Sequence, residues 1–325
     1  MSSYRFCRTD DVALLVDALN RCWSPYFPDE PPVTPATFKR SIRDLQVWCS
    51  SCMVALSGSD PIGVLIGAKR PSGTLVHKIA VHPDHRRQGH GRHLLASLGS
   101  KLAILGPPRI IAEVPETLAP AGELFSASGY VQEALLTNYV FSSPGDFVPR
   151  TPLHARSRGP HAPLRSRGSL ASARSHEEND ARAVEGVFDD HAVRFVIPVT
   201  IDDLAANGLL GESHPQVCWE RSVETLTARK DDIAGLAIAS DERIEAYLLY
   251  ATRGVDGTEI MALRSLIEDG GARLKQLLSR LRAPGMGTFG FPKVHPAEIS
   301  KELLETLGFR PAGGHLLYAA RARSD

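Results

Sequence analysis

The chain is expected to fold as two tandem α/β units, each an α+β mixed sheet with helices packed on it, because three features of its 325 residues coincide. Its length is about twice the ~150 residues of an ordinary single domain, enough for each unit to bury its own core. Short β-branched runs interleave with stretches whose apolar residues recur at helical spacing. The text also repeats itself. SDPIGVLIGAK at 59–69 is answered by SDERIEAYLLYA at 240–251, an offset of 181, and ELFSASGYVQEALLTNYVF is answered by ELLETLGFRPAGGHLLYAA, with Gly129 and Gly308 offset by 179. The spacing from Gly129 to Tyr139 equals that from Gly308 to Tyr318. One duplicated domain explains both matches, and the period is too long for a solenoid.

Within the first copy, Tyr4 to Arg8 is a short strand, and Thr9 or Asp10 caps a helix whose Val12, Leu15, Val16 and Leu19 share a face. Thr34 followed by Pro35 opens a second helix, since proline at the first helical position gives up an N–H that has no partner there. Strands are expected over Val47 to Leu56, Ile62 to Ala68 and Leu75 to Val81, then a helix over Gly89 to Leu105. A strand at Ile110 to Val114, a helix at Ala119 to Ser128 and a last strand at Leu135 to Phe141 complete the copy. The second copy places strands at 233–239, 244–251, 258–264, 286–291 and 314–320, with helices between. The stretch from Ser142 to Ser175 is rich in Pro, Ser, Gly and Arg, which marks a linker. The expected division is therefore 1–142, a linker at 143–175, and 176–325.

Composition, 43% hydrophobic and 23% charged, is that of a soluble globular protein and excludes disordered and fibrous classes. The 37 basic and 37 acidic residues cancel, removing the global pull of a nucleic-acid or anionic-membrane binder, so neither partner is expected. No apolar run is long enough to span a membrane and the N-terminus lacks a signal-peptide core, so a cytoplasmic location is expected. Five unevenly placed cysteines argue against a disulfide framework. Cys49 and Cys52 form a CxxC, but no second pair follows and the surrounding VWCSSCMVAL reads as a strand, where i and i+3 face opposite sides.

The sharpest signal is LVHKIAVHPDHRRQGHGRHLLASL, residues 75–98: a strand, a polar turn, a glycine-containing segment, then an amphipathic helix. Gly89 and Gly91 remove side chains where the helix begins, so backbone N–H groups can crowd around an oxyanion with help from the helix dipole. Arg86, Arg87 and Arg92 add charge at the rim. A Rossmann loop would need a third glycine where Leu94 stands, and GK[ST] of a P-loop is missing. Five histidines lie between 77 and 93, but without HExxH or carboxylate or cysteine partners at ligand spacing, so no metal is expected.

The segment Arg86-Arg87-Gln88-Gly89-His90-Gly91, preceded by IAVHP, resembles the [RQ]xxGx[GA] signature of the GNAT superfamily of acyl-CoA-dependent N-acetyltransferases. SASGY resembles that family's LYxxxGF element, and LLETLGF repeats it more weakly in the second half. The resemblance implies two tandem GNAT domains, each a mostly antiparallel central sheet flanked by helices. It also implies acetyl-CoA as co-substrate, with Ile79, Ala80 and Val81 along the pantetheine arm and Arg86, Arg87, Gln88, Gly89, His90, Gly91 and Arg92 around the pyrophosphate. In the second copy the matching turn is LIEDGGARL, where Glu268 and Asp269 bring negative charge to the phosphate position, so that half is expected to be a degenerate partner.

Transfer to an amine needs an uncharged nucleophile, a placed thioester and proton handling. His77, four residues before Val81, is the first candidate base, and Glu113 on the next strand the second. The family's tyrosine acid is replaced by Phe125, so Tyr139 on the last strand is the substitute candidate, and Leu118 stands where an asparagine is usual. Trp23, Tyr26 and Phe27 fall where family members shape the acceptor pocket, although packing against the second domain is the expected role. The expected function is acetyl transfer from acetyl-CoA to a primary amine of a small molecule or peptide. The alternative is an inactive acyl-CoA-binding regulatory or interaction module. A homodimer or an intramolecular pairing of the two domains is expected.

Overall fold

The computed structural model describes residues 2–141, 195–210, 217–253, 257–282 and 288–322; the expected linker at 143–175 lies outside them. The front half runs β1 (Ser2–Phe6), α1 (Val12–Cys22), α2 (Pro35–Leu45), β2 (Met53–Ser57), β3 (Asp60–Arg70), β4 (Gly73–Val81), α3 (His90–Leu105), β5 (Arg109–Pro115), α4 (Ala119–Ala127) and β6 (Val131–Phe141). The back half runs β7 (Phe195–Val199), α5 (Ile201–Ala206), α6 (Val223–Ala228), β8 (Ala234–Ala239), β9 (Ile244–Arg253), β10 (Gly257–Ser265), α7 (Ala272–Leu281), β11 (Thr288–Val294), α8 (Lys301–Thr306) and β12 (Phe309–Arg321). Thr34 caps α2 through the amide of Thr37, and Pro35 opens it, as its sequence predicts.

The strands form one twelve-stranded sheet, ordered β1-β2-β3-β4-β5-β12-β6-β11-β10-β9-β8-β7. Only β4 with β5 and β10 with β11 pair parallel; every other neighbour is antiparallel. The order shows that the last strand of each half is exchanged. β12 lies between β5 and β6, from His315 opposite Pro115 to Arg321 opposite Arg109, and β6 pairs in turn with β11 through Phe291 opposite Tyr139.

The expectation of two separate cores is therefore corrected. On one face of the front half, α1 and α2 cover Val64, Ile66 and Ala68 together with Trp219 from the back half. On the other, α3 and α4 cover Leu65 and Val76 together with Tyr318 of β12. The core under α7 and α8 takes in Tyr139 of β6. A second correction concerns Val47 to Leu56: Cys49–Ser51 form a 3-10 turn and the strand begins at Met53. That turn crosses Gly67 so closely that a Cβ there would stand 2.5 Å from the Ser51 carbonyl oxygen. Cys49 and Cys52 are both buried free thiols.

Charged groups pin the two halves together. The buried Arg70 guanidinium lies 3.9 Å over the Trp219 ring and donates to the Trp219 carbonyl, Ser222 and Thr225 of the back half. Glu113 accepts from the Trp219 amide at 2.8 Å and sits 3.0 Å from Lys293. Within the back half, Arg221 donates both terminal nitrogens to Glu298 at 2.6 Å. Buried ions paired in this way specify register more than they add stability, and removing one partner costs ~3–5 kcal/mol. A protease site engineered into 143–175 and cut under native conditions is expected to leave fragments that co-elute on size exclusion, because each keeps a strand of the other; separate elution would contradict the exchange.

Candidate active site

The site begins with a bulge in β4. Ile66 pairs with Lys78 and Gly67 with Val76, so His77 is the extra residue. Bulges bend a strand and end its pairing. β4 and β5 pair only at Thr74 opposite Ile110 and Leu75 opposite Ile111, and beyond His77 they diverge. The His82 amide donates to Ile62 on β3, so by antiparallel alternation Ile79 and Val81 turn their backbone groups to the unpaired edge. The Tyr26 hydroxyl donates to the Val81 carbonyl at 2.6 Å from that edge.

At the end of β4 the chain turns into α3. Gly89 adopts φ +86, a left-handed conformation that suits glycine, and Gly91 packs against α4, where a Cβ would press on Leu124 at 3.1 Å. Among the described residues, the backbone amides of Arg87 through Arg92 donate to no protein acceptor; the helical ladder starts with His93 on Gly89. These amides border a cleft of about 710 Å³ lined by Ile79, Ala80, Val81, Arg86, Arg87, Gly89, His90, Gly91 and Arg92. Gln88 is exposed outside it. Trp23, Tyr26 and Phe27 form a cleft wall, which corrects the expectation that they pack on the second domain. Arg86 is held there by the Tyr26 hydroxyl at 2.6 Å and by its ring at 4.4 Å. His90 lies buried behind the loop, its Nδ1 hydrogen-bonded to Tyr4 at 2.5 Å.

Residues 48–132 match the acetyltransferase (GNAT) domain family. A tandem GNAT protein from the clavulanic acid biosynthesis pathway is 16% identical and superposes with a TM-score of 0.57 over 100% of each chain. The stretch 48–132 thus matches a GNAT domain, and the whole chain shares the fold of a tandem GNAT protein. The same fold recurs in a GCN5-related N-acetyltransferase from Sphaerobacter thermophilus (12% identity, TM-score 0.60, 99% of this chain and 96% of that one). It recurs also in a putative acetyltransferase from Pyrococcus horikoshii (13%, 0.56, 99% and 90%). At such identities the likeness carries the fold. A search of curated protein sequences finds no match.

The three side chains expected to move protons are not brought together. His77 is the bulge residue, and burial, reinforced by the Lys78 charge, pushes its pKa down to about 4, so it is neutral at pH 7 and a weak proton acceptor. Glu113 is buried and held between Lys293 and the Trp219 amide, with no free edge turned to the cleft. Tyr139 is carried by the strand exchange into the core under α7 and α8. Its repeat-mate Tyr318 occupies the front half instead, stacked on Phe125 at 5.8 Å with its hydroxyl against Gly122 of α4. The equal glycine-to-tyrosine spacing could have named Tyr318; nothing local could show which half each tyrosine enters.

The back half repeats the turn but closes it. Gly271 has φ +87, matching Gly89, and precedes α7. The Asp269 carboxylate accepts from the amides of Gly271 at 2.9 Å and Arg273 at 3.0 Å, and Arg273 returns a guanidinium nitrogen at 2.7 Å while holding Glu245 at 2.8 Å. Burial alone would push the Asp269 carboxyl up, but the hydrogen bonds from Arg273 and the two amides outweigh it and hold the pKa below the usual carboxylate range. The chain's own carboxylate thus takes the anion position.

Asp269→Asn is expected to lower stability by about 1 kcal/mol in chemical denaturation at pH 7, the usual worth of an N-terminal cap. Because the folded pKa is depressed, this contribution is full above the unfolded value near 3.9 and fades as pH falls through the lower folded one, so the two proteins should converge in strong acid. His77 has the opposite consequence. With a folded pKa near 4, the unfolded chain binds its proton first, so stability drains as pH falls from about 6.5 toward 4. His77→Gln should flatten that part of the stability profile; an unchanged slope would show that His77 is not buried neutral.

Proposed function

We propose that the chain is an N-acetyltransferase that passes the acetyl group of acetyl-CoA to a primary amine of a small molecule or peptide by direct attack in the front half. The observation that carries this is the row of unpartnered amides at the start of α3, continuous with the open edge of β4 in one cleft. The residues fit the co-substrate. Amides from Arg87 to Arg92 and the α3 dipole suit a diphosphate. Arg86, fixed by Tyr26, and Arg92 supply charge-assisted contacts, and Ile79 and Val81 offer backbone groups to an extended amide-bearing arm.

When bound, acetyl-CoA supplies an activated acyl carbon: the amine nitrogen forms the new C–N bond, the C–S bond breaks, and the thiolate takes up a proton. The protein contributes placement. Trp23, Tyr26 and Phe27 wall the cleft, and the bulge at His77 separates β4 from β5 to make room between them. His77 and Glu113 are not proposed as bases, for the reasons above; the ammonium is proposed to lose its proton to water before attack. The back half, with Asp269 in its own anion site, is proposed as a degenerate partner that shapes the acceptor side. The strand exchange supplies the intramolecular pairing, and a cytoplasmic location belongs to the same proposal. No helix among the described residues is long and apolar enough to cross a membrane.

Calorimetric titration of acetyl-CoA tests the cradle. Gly89→Val forces a branched residue into a left-handed conformation costing ~1–2 kcal/mol, which leaves the protein folded but turns the loop, so affinity should fall about tenfold or more. Gly91→Val, which displaces Leu124, should act in the same direction. Unchanged affinity in both would refute the assignment. Release of free thiol on adding amines tests turnover; tight binding without release from any amine would favour the inactive acyl-CoA-binding module.

A further inference from the structure

A second cavity of about 660 Å³ lies between the halves, bounded by α2, the turn around Glu220, the end of α6 and the ends of β8 and β9. Its wall carries charges of both signs. Asp44 and Asp232 are both engaged by Arg43, at 2.6 and 3.6 Å. Arg40 on α2 and Arg229 after α6 also line it, and among the described residues neither guanidinium has a hydrogen-bond or ion-pair partner. The cavity wall therefore offers two cations without a protein partner among the described residues, contributed one by each half, together with Thr37 and Thr252.

The same wall carries Glu220, which is connected to β5 by ion pairs through Lys293. Glu220 lines the cavity, and its carboxylate is 3.2 Å from Lys293, which is 3.0 Å from Glu113 on β5. Glu113 is buried, whereas the Glu220 side chain keeps 28% of its surface. The Glu220 charge is also felt by His77 and Lys78, the β4 residues at which the strands separate. Through Lys293, Glu220 thus links the cavity wall to Glu113 on β5, the strand from which β4 parts beyond His77.

We propose that this interdomain cavity receives the acceptor and that the acceptor is a small zwitterionic amine, its ammonium held by Glu220 and its carboxylate or phosphate by Arg40 and Arg229. The proposal rests on the transferase reading above and narrows its substrate class. It follows from charge complementarity within one cavity: a neutral-tailed amine leaves two guanidinium groups unpaired, while a peptide N-terminus brings no adjacent anion to fill them. The back half then contributes substrate-binding groups rather than only a fold.

Two measurements on the full chain test it. Thiol release is compared across α- and ω-amino acids and aminoalkyl phosphates against the alkylamines that lack only the anionic group. Calorimetry without acetyl-CoA then follows binding of the same compounds to wild type, Glu220→Gln and the Arg40→Ala/Arg229→Ala double variant. Expected are a preference of about tenfold or more for the zwitterions, a KM rise of similar size with little change in kcat in the arginine variant, and weakened cofactor-free binding in both variants. Equal use of neutral-tailed amines, variants that bind like wild type, or no binding of any zwitterion at millimolar concentration would overturn it. Absence of acetyl-CoA binding would instead sink the transferase assignment, and the cofactor-free arm would still decide between presence and absence of the zwitterion site.

Discussion

The pairing of β12 between β5 and β6 is the constraint on which the rest of the molecule turns. β5 loses its partner on one side as soon as β4 bends away at His77, so its other edge must be fully paired for the strand to stay in place. The strand that does this comes from the far end of the chain, and in exchange β6 completes β11. The cleft therefore opens against a rigid β5 whose support belongs to the other half. Tyr318, delivered by β12, fills the space beneath α4, so even the helix that walls the cleft packs on borrowed residues.

Electrostatics then fixes how the halves meet. Lys293 sits at a bulge in β11 with φ +51, a conformation that costs about 1–2 kcal/mol in a residue with a Cβ and is met here by an Asn138 side chain accepting from its amide. That turn aims the ammonium between Glu113 and Glu220. Burial alone would push its pKa down, yet the two carboxylates push it up further, so it remains charged. Across the seam, Arg70 enters the start of α6, an unfavourable end of a helix for a cation, compensated by stacking on Trp219 and by Glu224 at 3.8 Å. Such contacts tolerate few alternative registers.

The two anion cradles show divergence in charge on an unchanged backbone. Gly89 and Gly271 have nearly the same dihedral, φ +86 and +87, before the helix of each half. In front, the amides face open space and arginines; behind, Asp269 satisfies them and Arg273 neutralises Asp269. An external diphosphate would have to displace a covalently attached carboxylate at very high effective concentration. A single side chain is enough to separate the two halves chemically.

The repeated order of elements, the helix starts at Thr34 and Gly89, the glycine turn between β4 and α3 and the negative charge at Asp269 were legible from residue types and spacing. Each depends on neighbours close in the chain, where glycine, proline and capping preferences act. The structure decided what depends on distant segments. His77, Glu113 and Tyr139 are reasonable proton carriers by residue type, but a bulge, a lysine 180 residues away and an exchanged strand assign them other roles. Likewise, the cavity bearing Arg40, Arg229 and Glu220 is lined from both halves, which one shared sheet joins. Strand exchange leaves the local pattern of both copies unaltered, since a strand alternates identically whichever neighbour it pairs with, and only the packed molecule reveals the choice.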